Sequence, residues 1–156
     1  MTNPYRAPAA PVADLERPRG SPLKGVIYGV LVDIVGTTAA TMVIMFVWGV
    51  LLAMNGVAAE EIQAMAEKID PTSPVGLLAS AAGGAFSFLG GYVCARVAGQ
   101  AALKWATVLA VISTLFGLLM TMQVPRDAYN TVMLVANFVI VVLGGYAGAR
   151  RNARSA

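Results

Sequence analysis

Gly25–Met54 reads GVIYGVLVDIVGTTAATMVIMFVWGVLLAM and carries a single charged side chain, Asp33. About 20 apolar residues cross a hydrocarbon core of about 30 Å as an α-helix, so this segment is long enough to span a bilayer. Three further stretches match it, Val75–Ala95, Trp105–Val124 and Thr131–Ala149. Composition agrees: 58% of the 156 residues are hydrophobic and 12% are charged, against about 25% charged in a soluble domain. With a mean hydropathy of +0.71, there is too little polar surface to coat a water-soluble body. The expected fold is an all-α integral membrane protein, an antiparallel bundle of four transmembrane helices in contact with the lipid bilayer.

A net charge of +3 and a pI near 9.3 would suit a nucleic-acid ligand, but the distribution of charge does not. If the N-terminus is cytoplasmic, the inner segments hold Arg6, Arg17, Arg19, Lys24, Arg96, Lys104, Arg150, Arg151 and Arg154, and the outer loops hold Lys68 and Arg126. That is the positive-inside pattern, and it assigns the basicity to topology; no nucleic-acid partner is expected. Tyr28, Tyr92, Trp105 and Tyr146 fall near inner span ends, and Trp48 and Tyr129 near outer ends, as interfacial aromatics do. Both termini are expected in the cytoplasm, with the first span as an uncleaved signal-anchor. Cys94 is the one cysteine, so no internal disulfide forms, and it reads as a packed structural thiol.

Residues 1–23 carry prolines at 4, 8, 11, 18 and 22 and have little to bury, which predicts a disordered cytoplasmic tail. The transmembrane domain follows over 24–150, then a basic cytoplasmic end over 151–156. The opening NPYRAP, Asn3–Pro8, resembles the Asn-Pro-Tyr-x-x-Pro start of uncharacterised small four-span proteins of proteobacterial inner membranes. The resemblance covers six residues and implies a shared docking or targeting element, in a multi-pass protein of the bacterial inner membrane. A plain tether is the other reading of the tail. Between the first two spans, Ile62, Met65 and Ile69 recur at helical spacing with charges on the other faces, predicting an amphipathic surface helix over about 57–69 that stops before Pro71. Ser73-Pro74 then has the form of an N-cap opening span two.

LGGYVCAR at Leu89–Arg96 returns as LGGYAGAR at Leu143–Arg150. Both copies close an inward-running span. Two readings stand: a duplicated helical hairpin about an axis along the membrane normal, or two helix ends that converged on small residues, tyrosine and arginine for interfacial anchoring. Span two also carries a small residue at every fourth position, Ala79, Gly83, Ser87, Gly91 and Ala95. In lipid, helices associate through close backbone packing at such seams, so span two is expected at the centre, packing within the chain or against an oligomer partner.

Span one has a second ladder, Gly25, Gly29, Asp33, Thr37 and Thr41. Polar side chains at membrane depth face away from lipid, and an intramembrane carboxylate is a functional candidate by default. Asp33 is expected at a height comparable to Arg96 and Arg150. Either it pairs with one of them and locks the helices at the cytoplasmic rim, or it binds a proton or cation, with Thr37 and Thr41 lining a path that Asn137 and Ser87 extend. Ser113, Gly117, Thr121 and Asn137 could also simply hydrogen-bond across helices.

Catalysis finds no constellation. There is no histidine, hence no Ser-His-Asp triad and no His-based metal site. The glycines sit within apolar runs rather than in a phosphate-binding loop, and Glu60, Glu61, Glu67 and Asp70 lack EF-hand spacing. No catalytic residue, metal or cofactor is expected. Two functional classes follow. One is a non-catalytic accessory or scaffold subunit acting through helix packing, in a homo-oligomer or a larger membrane complex. The alternative is a small oligomeric channel or transporter using Asp33 and the threonines, oligomeric because four helices enclose little space for a path.

Overall fold

The computed structural model describes residues 20–120 and 128–154, all-helical and without strands among those residues. Four helices are long and apolar enough to cross a membrane: α1 (Pro22–Met54), α3 (Pro74–Ala98), α4 (Ala102–Met120) and α5 (Ala128–Arg154). A short surface helix, α2 (Ala59–Glu67), follows α1. Residues 1–19, most of the proline-rich tail, lie outside the described residues, as does the expected continuation of the third span past Met120.

Local sequence explains each boundary. Pro22 and Pro74 occupy the first helical positions of α1 and α3, where a missing N–H costs nothing. Helix α1 thus starts inside the stretch expected to be tail. Ser73 Oγ accepts from the Gly76 N–H at 3.1 Å, the expected cap. Helix α1 ends at Asn55, whose side-chain amide donates to the Leu51 carbonyl at 2.7 Å, followed by Gly56 at φ 83. Helix α2 is shorter than expected and keeps Ile62 half-buried beside Gly49. In the turn after it, the Thr72 backbone N–H and then its hydroxyl, each 2.8 Å from Asp70 Oδ1, hold that carboxyl below the usual range. Residues 151–154, expected as a separate basic end, continue helix α5, because Arg151 and Arg154 complement the negative end of the helix dipole.

Antiparallel topology puts the start of α1, the end of α3, the start of α4 and the end of α5 at one pole, with Lys24, Arg96, Lys104, Arg150, Arg151 and Arg154. This is the basic end; the other is the α2 end. Packing is concentrated toward the basic end. Cys94, Ala95, Ala98, Ala106, Leu109, Ala110 and Val141 are buried there, whereas Gly36–Met54 has no buried residue.

Helix α3 is central and packs against each of the other three spans. Gly29 and Gly90 mark its crossing with α1: a Cβ at Gly29 would come within 2.9 Å of the Gly90 carbonyl, and one at Gly90 within 2.8 Å of the Gly29 carbonyl. Helices α3 and α5 run parallel, phrase against phrase. A Cβ at Gly91 would collide with the Val141 carbonyl, and one at Gly144 with the Phe88 carbonyl. The repeat now has a physical reading. In each copy one glycine faces the hairpin partner and the other faces the sister copy. The order is reversed: Gly90 faces α1 and Gly91 faces α5, while Gly144 faces α3 and Gly145 faces Ala106 of α4. The contact is therefore not a strict two-fold. One letter that differs between the copies follows suit, since a Cβ at Gly148 would lie 2.6 Å from the Tyr92 carbonyl, whereas Cys94 faces Gly25 and Gly29 of α1.

These contacts replace the hydrophobic drive that lipid removes. Gly91→Ala should lower the unfolding free energy in detergent by about 1–3 kcal/mol, the usual cost of overpacking. Gly49→Ala, whose added methyl meets only Ile62 Cγ2 at 3.8 Å, should melt as wild type does. Equal melting of both variants would refute the close-approach account.

Candidate functional site

The polar ladder of α1 does not sit on a regular helix. Leu31–Val35 forms a π-turn centred on Asp33. Positions spaced by four drift around an α-helix of 3.6 residues per turn, and the wider turn offsets that drift, keeping Gly25, Gly29 and Asp33 buried. Single π-turns within α-helices occur often at functional sites.

Asp33 is 6% exposed. Ser87 Oγ of α3 donates to its Oδ1 at 2.6 Å, and Ser113 Oγ of α4 donates to its Oδ2 at 2.5 Å. Both lengths are those of hydroxyls bonding a carboxylate, and both serines are themselves buried. One acidic side chain therefore ties three helices at a single point.

The arginine partnership does not form. Among the described residues Asp33 makes no ion pair. Arg96 Nη1 donates to Asn152 Oδ1 at 3.2 Å, and Arg150 is exposed. The reason is register. Gly25 lies against Cys94 and Ala98, so Asp33 comes level with Ser87. Arg96 lies nine residues beyond Ser87, about 13 Å along the axis at about 1.5 Å per residue. The expected common height was set too near the basic end. Tyr92, read as an interfacial anchor, accepts from Arg151 Nη1 at 3.1 Å, and Asn152 Nδ2 donates to the Ala95 carbonyl at 3.0 Å.

Asp33, Ser87 and Ser113 line one end of a cavity of about 440 Å³ among the four spans. From there the lining passes Thr37, Gly83, Gly84, Phe116, Asn137 and Ile140, and continues toward the α2 end with Ser80, Gly117, Met133, Tyr129 and Pro71. Its volume falls within the range of small-molecule sites, about 300–1,000 Å³. A single chain thus lines a space of this size, where four helices were expected to enclose little. Of the expected residues, Thr37, Ser87 and Asn137 join Asp33 around the cavity, while Thr41, Arg96 and Arg150 stand outside its lining. Of the seam, Gly83 and Ser87 line the cavity, while Gly91 and Ala95 are buried in packing. Within the chain the seam turns from α1 toward α5.

Two cavity-lining hydroxyls, Thr37 Oγ1 and Tyr129 OH, are buried and have no partner among the described residues. Buried hydroxyls are almost always satisfied, and these two are exceptions. Sequence reasoning did not assign Ser113 to Asp33 or Tyr129 to the cavity. The every-fourth spacing of Ser113 and Gly117 was the available signal for the first. Among the described residues no group of three or more His, Cys, Asp or Glu could hold a metal ion. One carboxylate among hydroxyls balances one positive charge, as a proton or a monovalent cation. No known protein family, curated protein or solved structure matches the chain.

Removing both serines should leave a buried charge unmet. The Ser87→Ala/Ser113→Ala double variant should lose about 2–4 kcal/mol of unfolding free energy, as expected when hydrogen bonds to a charged group are deleted. Adding Asp33→Asn to that background should restore most of it. A triple variant no more stable than the double would assign the loss to packing instead.

Proposed function

We propose that the protein is a small membrane carrier of protons or monovalent cations, with Asp33 as the charge-binding group and the cavity as its access route. The observation that carries this reading is the buried carboxylate at the closed end of a cavity in the membrane-spanning region. Burying a charge at such depth is expensive and is usually tied to function. The π-turn at the same point and the two unpartnered hydroxyls add to the case.

Below Asp33 the route is blocked by Cys94, Leu109 and Val141 together with the glycine contacts. This arrangement suits a carrier, which exposes its site to one side at a time, better than an open channel. Passage requires the helices at the basic end to part. A role as an accessory or scaffold subunit draws less support, because the seam of α3 that would recruit a partner is occupied by α1 and α5 of the same chain.

The positive-inside rule orients the protein with its basic end in the cytoplasm, so the cavity extends toward the outer face, in keeping with a bacterial inner membrane and cytoplasmic termini. A cysteine placed at Glu61 should react with an impermeant thiol reagent added to intact cells, and one at Asn152 should not; the reverse would invert the topology. In proteoliposomes, a proton or monovalent-cation flux should be present with wild-type protein and at least tenfold slower with Asp33→Asn. A flux unchanged in the folded variant would refute the carrier assignment.

A further inference from the structure

The cavity is open on one flank. From Gly36 onward, α1 packs against α3 and α2 but makes no comparable contact with α4 or α5, while α4 and α5 pack closely on each other. Helix α4 meets α1 substantially only along Pro22–Val30. On that flank, among the described residues, α1 and α4 do not pack on each other in the half of the bundle that holds the cavity, at a depth where the surroundings are lipid.

The walls are mostly apolar. Ile34, Phe116, Met133 and Ile140 line the cavity with Gly83 and Gly84, and Phe116 and Met133 are partly exposed. From Ser87 to Ser80 along α3 the lining runs about 10 Å at about 1.5 Å per residue. Three candidate occupants can be weighed against this geometry. A bare cation meets Asp33 but leaves most of the 440 Å³ to water against apolar walls, where a water molecule needs only about 30 Å³ and two to four polar partners. A lipid acyl chain covers the walls but brings no charge to Asp33. A molecule with a monovalent ammonium head and an apolar body satisfies both at once, with Phe116 and Tyr129 among the residues along its path.

We infer that the cavity binds an amphiphilic ammonium compound, which moves in sideways from the lipid between α1 and α4, its head on Asp33 and its body along Ile34, Phe116, Met133 and Ile140. The inference rests on the carrier assignment and specifies the substrate class.

The test uses full-length protein in phosphatidylcholine nanodiscs and labelled decyltrimethylammonium, with empty nanodiscs subtracting partition into lipid. Wild-type protein should bind the probe saturably, one per chain, with displacement by unlabelled probe and not by decanol. Asp33→Asn should weaken binding at least tenfold. Ser80→Phe, which narrows the far part of the cavity and leaves the carboxylate alone, should weaken it similarly. Ser80→Phe also serves as the independent variant if Asp33→Asn fails to fold. Equal affinity in Asp33→Asn overturns the inference, as does a stoichiometric phospholipid that the probe cannot displace. Absence of saturable binding by a wild-type protein that still conducts protons or sodium through Asp33 overturns the inference and leaves the carrier standing. Absence of both removes both.

Discussion

The architecture depends on how closely backbones can approach one another in a solvent that offers no hydrophobic reward for doing so. At Gly29 against Gly90, and at Gly91 and Gly144 between α3 and α5, the approach is close enough that a single methyl group would meet a carbonyl oxygen. Small side chains make those contacts, and dispersion over the tight surface holds them. All such contacts fall in the half of the bundle nearer the basic end. In the other half Phe116, Tyr129 and Met133 line the cavity. In the tight half glycines meet a neighbouring backbone, whereas in the open half Gly83, Gly84 and Gly117 face side chains and line the cavity.

Asp33 lies at the junction of the two. A carboxylate buried without partners would be costly, and the two serines meet that demand from two different helices. They also fix the depth at which the open half ends. The same group therefore closes the packed region and forms the floor of the cavity. Its partners are neutral hydroxyls and not a guanidinium, so among the described residues no positively charged side chain pairs with it.

Much of this was legible in the chain itself. Span number, antiparallel order, the central place of α3 and the Ser73 cap follow from apolar length, small-residue spacing and one turn signature. The partners of Asp33 were harder to read, because they depend on register. Registers between membrane helices are set by small contacts such as Gly25 against Cys94, and hydropathy does not encode them. The wider turn at Leu31–Val35 left no mark in composition. The cavity, likewise, lies where Gly36–Met54 packs against α3 but, among the described residues, not against α4 or α5, and no motif announces such a gap.

Cys94 gives this arrangement a further consequence. Its thiol is fully enclosed, facing Gly25 and Gly29 of α1, on the blocked side of Asp33. A small alkylating reagent can reach that sulfur only while the helices packed around it stand apart. The rate at which the natural chain is alkylated there thus reports how often the packed end loosens, readable without adding any foreign group.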